Sequence, residues 1–250
     1  MALISTSSVF ERDRVISTVE TIRGVASFEE VGQKCVDILY EAYSDSIILA
    51  RLFTTVSYGE LPGSNKQFVD NLARSAGIVP LMTDRTPVLS LLGTRGLRSE
   101  WNDRRLSKGH VGIPLASGAF ISSIPMMSRL LKQLGLDLAW IDQWDTKIVA
   151  EKNLSKFSGM FYVNDARTEV DTQGRNVIAA QDFVEEFDVR TVFGFGGGYL
   201  QAETFVVLIV FTRESIQQDI IQPFTTVINA FKIATLENGL KNHVFLDLAA

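Results

Sequence analysis

Cysteine occurs once in these 250 residues, at Cys35, so no intramolecular disulfide can form and a thiolate metal site lacks ligands. Histidine occurs twice, at His110 and His243, which leaves a multi-histidine metal centre short of donors and a Ser-His-Asp arrangement short of candidates. Long apolar runs are missing as well. The longest, Phe205 to Phe211, is far too short to span a bilayer, and the N-terminus lacks a basic region followed by an apolar stretch. Nor is there an excess of positive charge: Lys and Arg number 24 against 29 Asp and Glu, giving a formal net charge of -5. Without a concentrated basic face the chain is a poor general binder of nucleic acid. These absences point to a cytoplasmic protein with no membrane or nucleic-acid partner, no metal and no cofactor. With 46% hydrophobic residues, what remains is an ordinary globular chain, long enough to enclose a core and a buried pocket.

Hydrophobic periodicity predicts a short helix over Glu11 to Arg23, with Val15, Val19 and Ile22 on one face and Gly24 as its stop. Ser27 caps a second helix, Glu30 completes a capping box, and Phe28, Val31, Cys35, Leu39 and Tyr43 form its buried stripe. Cys35 is then a core residue rather than a reactive thiol. Ser46 to Val56 reads as a central strand covered on both faces, interrupted by Arg51, which either points into a pocket or reaches an acidic neighbour. Ser64 and Gln67 repeat the capping-box pattern before a helix carrying Phe68, Val69, Leu72 and Ala76. Pro87 to Gly96 and Val111 to Leu115 are expected strands, and a helix beginning near Ser122 or Ser123 runs to Gly135. Leu136 to Lys152 is ambiguous between strand and helix. Met160 to Val163 and Val177 to Ala180 read as strands, and Phe183 to Phe187 as a short helix. Two apolar runs, Val189 to Phe195 and Phe205 to Phe211, are then written as adjacent antiparallel strands ahead of a long periodic segment from Ile216 to Leu240. No repeat or linker divides the chain. The order describes an α+β fold, a mixed sheet with helices packed on it, rather than a regular βαβ alternation.

That order resembles the GAF family of small-molecule-sensing domains. The resemblance is carried by the amphipathic helix from Ser27 to Tyr43, the strand SIILARLF, and the closing unit VRTVFGFGGG…FVVLIVFTRES with its following helix. It implies a central antiparallel sheet flanked by helices, with residues 27–240 as the sensory domain, 1–26 as an N-terminal helical extension and 241–250 as a tail. The middle is longer than in that family, with enlarged loops around Tyr58 to Arg85 and Arg95 to Ala119. Several family chemistries do not fit. One cysteine cannot supply a sulfoxide reductase, Cys35 is misplaced for bilin attachment, and Asn65, Lys66 and Phe68 are too compressed to match the spaced cyclic-nucleotide signature.

The cluster Arg95, Arg98, Trp101, Asn102, Asp103, Arg104, Arg105, Lys108 and His110 is the richest in chemistry. Guanidinium forks and an indole wall suit a small anionic or aromatic ligand, and Trp101, Arg104, Arg105 and His110 are the candidate ligand-binding residues. Against this, Glu100 and Asp103 could pair with the arginines at the surface. Gly194, Gly196, Gly197 and Gly198 read as hairpin-turn glycines with positive φ, since the lysine of a phosphate-binding loop is missing. Trp140, Asp142, Trp144 and Asp145 form either a cationic pocket or one buried helical face, and Glu185 with Glu186 reads as a solvated pair. The terminal stripe of Ile216, Ile220, Ile221, Phe224, Val227, Ile228, Phe231 and Ile233, broken at Pro223, either packs within the chain or builds a homodimer. The expected function is a sensory module that binds an unidentified small molecule and signals through its terminal helices to a separate output protein. A ligand-free dimerisation or interaction module is the alternative. An enzyme using His110 comes third, because no compact set of catalytic residues is recognisable.

Overall fold

The computed structural model describes residues 2–143, 158–199, 204–237 and 244–246. In chain order these form α1 (Val9–Glu20), α2 (Phe28–Tyr43), β1 (Ile47–Ser57), α3 (Gly63–Ser75), β2 (Pro87–Gly96), β3 (Gly112–Pro114), α4 (Gly118–Ser122), α5 (Pro125–Gln133), β4 (Ser158–Val163), α6 (Gln181–Glu186), β5 (Val192–Gly198), β6 (Phe205–Thr212), α7 (Gln218–Ile221) and α8 (Thr226–Glu237). The six strands make one open antiparallel sheet in the order β3-β2-β1-β6-β5-β4. This is the α+β class that the order of elements predicts. The long strand β1 lies in the middle, between β2 and β6, which explains its nearly unbroken apolar sequence.

Alternation along the strands separates two cores. Val206, Leu208 and Val210 of β6 join α1, α2 and α8 on one face, while Phe205, Val207 and Ile209 join α4, α5 and the segment after β4 on the other. The predicted stripe of α2 is buried along its length, Cys35 included, and burial pushes that thiol up to about 12. Gly93 lets α2 sit directly on β2: a Cβ there would lie 2.5 Å from the Gly32 carbonyl. Both terminal segments share the helical core. Ile4 is buried and its N–H donates to the Ser46 hydroxyl, and Phe245 is buried beside α2 and α8.

Several expectations need correction. Helix α1 starts earlier than Glu11, at a capping box formed by Ser8 and Glu11. Ser27 caps α2 as expected, but the Glu30 carboxylate accepts from Ala26 rather than from the Ser27 N–H. Helix α3 starts behind Pro62 with no side-chain cap, so the Ser64 and Gln67 pattern is not used, and Ala76 is exposed beyond its end. Val177 to Ala180 is not a strand; the nearest pairing is a single bridge from Val170 to Asn176. The four glycines from Gly194 to Gly198 are not a turn but lie inside β5, where Gly194, Gly196 and Gly197 pair with both β4 and β6 and Gly198 pairs with β6. Their smallness serves packing: a Cβ at Gly194 would meet the Leu208 carbonyl at 2.5 Å, and one at Gly197 would meet Ile228 of α8 at 3.1 Å. The helix expected from Ser122 or Ser123 is α5, which starts at Pro125, and a separate short helix, α4, ends at Ser122 ahead of it. Pro223 likewise splits the terminal segment into α7, a 3-10 turn and α8. Most of its apolar stripe is covered within the chain by α1 and α2, leaving Ile233 and Leu236 exposed on α8. Leu138 to Gln143 is a 3-10 segment in which Asp142 accepts from the Gly118 N–H; Trp144 and Asp145 lie outside the described residues. Among the described residues no helix is long and apolar enough to cross a membrane.

Candidate functional site

The face of the sheet opposite α1, α2 and α8 holds a cavity of about 550 Å³. Its floor is β1, β2 and β6, through Leu49, Arg51, Phe53, Leu89, Ile209 and Phe211. Its walls come from the loop between β2 and β3, the start of α5, the irregular segment Val177 to Ala180, and α6. Short helices and loops cover this half of the sheet, and where they bridge rather than fill it a pocket of ligand-binding size remains.

Arg51 is the decisive residue of the floor. It sits in the central strand, is only 8% exposed, and faces the cavity rather than the helical core. One guanidinium nitrogen donates to the Gly109 carbonyl at 2.7 Å and another to the Ser107 hydroxyl at 2.8 Å, while Nε has no hydrogen-bond partner among the described residues. No carboxylate among them comes within ion-pair distance, so the acidic neighbour that a mid-strand arginine could have reached is not there. Burial alone pushes the guanidinium down to about 10, because the charged form has lost water without gaining a counter-charge. Thr94, opposite Arg51 in the register of β1 and β2, carries a buried hydroxyl that likewise has no hydrogen-bond partner among the described residues.

The loop between β2 and β3 contributes Trp101, Lys108, Gly109 and His110. Trp101 is anchored by edge-on contacts to Phe183 at 5.8 Å and Phe187 at 4.9 Å, and Phe183 in turn meets Phe211 at 5.5 Å. This aromatic corner ties the loop to α6 and β6. Arg98 reinforces it through an ion pair with Glu186 and a position over the Phe187 ring at 5.1 Å. His110 closes the loop with φ 54, a left-handed conformation that a β-carbon disfavours and that clusters at functional sites. The residue keeps contact with solvent, yet dense protein around the ring and the nearby Arg51 cation both hold its pKa below the usual histidine value.

Of the four residues the sequence nominates, the structure brings Trp101 and His110 to the cavity and takes Arg104 and Arg105 away from it. Arg104 is buried against the other core, with Nε 2.9 Å from Glu29 and a terminal nitrogen donating to Asn65 Oδ1 at 3.0 Å. Its guanidinium also lies 4.8 Å from the Phe245 ring centre. Arg105 pairs with the same Glu29 at 2.7 Å. Glu29, at the first turn of α2, claims both cations. The pair Glu185 and Glu186 is exposed, as expected. Arg51 was marked by its place in an apolar strand, but the walls at Met127 and at Val177 to Ala180 carry no pattern that separates a pocket wall from a core. Among the described residues no cluster of His, Cys, Asp or Glu could hold a metal ion. No protein-family model matches the chain, and comparison with curated proteins finds no relative.

Proposed function

We propose that this chain is a GAF-like sensory module of the cytoplasm that binds a small organic molecule in the cavity over β1, β2 and β6. The observation that carries the reading is Arg51: a buried cation with no counter-charge among the described residues, on the apolar floor of the cavity, costs several kcal/mol, a cost that a fold without a use for it would have shed. The connection of the site to the rest of the molecule supports a regulatory role. The loop that carries Trp101 and His110 also carries Arg104, whose partner Glu29 accepts from the Leu246 N–H and donates its own N–H to the Val244 carbonyl. A ligand that favours one arrangement of the loop thereby biases the first turn of α2 and the segment 244–246, a population shift set by its differential affinity. A separate output protein would read that change.

Native and denaturing mass spectra of the gently purified protein test the reading. The expected result is a reproducible extra mass that is lost on denaturation and is missing from Ile209→Trp, which fills the cavity. A second reading, self-association, is favoured by exposed apolar side chains on two helices that pack together: Phe10, 77% exposed on α1, and Ile233 and Leu236 on α8. A dimer without retained mass, broken by Phe10→Asp and Ile233→Asp, would support it. Catalysis by His110 has less support. Asp103 accepts from the Arg105 N–H, Ser117 caps α4, and His110 makes no hydrogen bond to either.

A further inference from the structure

Among the described residues three charged side chains are buried: Glu29, Arg51 and Arg104. Glu29 and Arg104 neutralise each other, which leaves Arg51 as the buried charge without a counter-ion. Its two acceptors, the Gly109 carbonyl and the Ser107 hydroxyl, are neutral and engage two of the five N–H donors that a guanidinium presents. A neutral ligand would leave that charge as it stands. An anion would remove the penalty and gain a charge-assisted hydrogen bond in a site shielded from water.

The type of anion follows from what else is present. Phosphate carries close to two charges near neutral pH and is cradled by several backbone N–H groups in a glycine turn or at a helix start. Here the glycine-rich segment is a paired strand, and of the two helices that start at the cavity wall, α5 begins with Pro125, which has no N–H, while α6 has only six residues and carries the Asp182 carboxylate in its first turn. One buried guanidinium, with His110 at the rim and apolar side chains at Leu49, Phe53, Met127 and Ile209, matches one carboxylate on a hydrocarbon or aromatic body. Resting on the reading of the cavity as a ligand site, we infer that its ligand is an apolar organic monoanion whose carboxylate is bound by Arg51. Lys108, Glu100 and Asp182 also stand at the cavity wall, all exposed; the two carboxylates outnumber that one added cation and oppose entry of a second negative charge. The site therefore selects a single acid group buried head-first against β1.

Isothermal titration of the full chain with matched acids and primary amides tests this: phenylacetate and phenylacetamide, naphthylacetate and naphthylacetamide, octanoate and octanamide. Each pair keeps its shape and changes its charge. The expected result is at least one acid bound about tenfold or more tightly than its amide, with Arg51→Gln abolishing the preference while the amide affinity holds. Circular dichroism checks that the variant is folded; if it is not, the wild-type ratio of acid to amide decides. Equal binding of acid and amide overturns the anion inference and leaves the ligand site standing. Equal weakening of both by Arg51→Gln also overturns it, because Arg51 would then act only by holding Ser107 and Gly109. Failure of every pair to bind at millimolar concentration removes the ligand site itself.

Discussion

The two faces of one sheet are built differently here. Against one lie α2 with 16 residues and α8 with 12, whose stripes meet the strands at close range and leave Tyr43, Phe224 and Phe231 fully buried. Against the other lie α4, α5 and α6, with 5, 9 and 6 residues, joined by irregular segments. The first face is filled, and its buried ions are paired with each other. The second keeps a cavity whose floor carries a cation with no ion pair among the described residues. Long regular helices supply packing; short ones tolerate the gaps and the strained residue, His110, that a binding site needs.

The largest effect should come from emptying the filled face. Phe231 is completely buried and meets Phe28 edge-on at 6.4 Å, so Phe231→Ala is expected to cost about 3–5 kcal/mol, read as a lowered midpoint in urea. Phe53→Ala on the cavity floor should cost clearly less, because one side of that ring already borders space. If both cost the same, the cavity is closed in solution and the contrast between the faces fails. Next comes the ion cluster at the edge of the filled face. Glu29→Gln removes the buried carboxylate that Arg104 and Arg105 share and should cost roughly 3 kcal/mol. It should also raise amide exchange in the loop around Trp101 and in residues 244–246 together. Exchange confined to α2 would break the proposed connection between the site and the termini.

Adding volume sharpens the same comparison from the opposite side. Ile228→Phe, under β5 beside Gly197, has no room and should destabilise by about 1–3 kcal/mol. Ile209→Phe projects into the cavity and should change stability by less than about 0.5 kcal/mol in either direction while weakening any bound acid.

What was legible in the sequence divides along the same line. The filled face follows from periodicity: the stripe of α2, the central β1, the pairing of β5 with β6 and the core position of Cys35 are each set by residues a few places apart. The site follows from distant ones. Arg104 and Arg105 belong to the same loop as Trp101 and His110, and it is Glu29, 75 residues away from Arg104, that draws them elsewhere. The glycines of β5 misled for a related reason. Glycine marks a turn when local φ demands it and a close contact when a neighbouring backbone does, and the carbonyl of Leu208 is not visible from the local sequence. Arg51 stood out because one charge in a doubly covered strand needs an explanation whatever surrounds it.

The smallest expected effect concerns His110, and its sign separates the two states of the cavity. Burial and the Arg51 cation lower its pKa in the folded chain from the ordinary value of 6.5, so the unfolded chain binds the extra proton first as acidity rises. Stability from this group is therefore present above about pH 6.5 and is lost as pH falls below it. The groups that share the cavity wall with the ring are Arg51 of β1 and Lys108 of its own loop, with Glu100 of that loop and Asp182 of α6 opposing them. Because the residue is partly open to solvent, the difference in Tm between wild type and His110→Gln should change by only about 1–2 °C between neutral pH and pH 5. A bound carboxylate cancels the field of Arg51, so saturating naphthylacetate should shrink that difference, while naphthylacetamide should not. A difference unmoved by the acid would mean that the anion does not reach Arg51, and the filled and unfilled faces would then differ in packing without differing in charge.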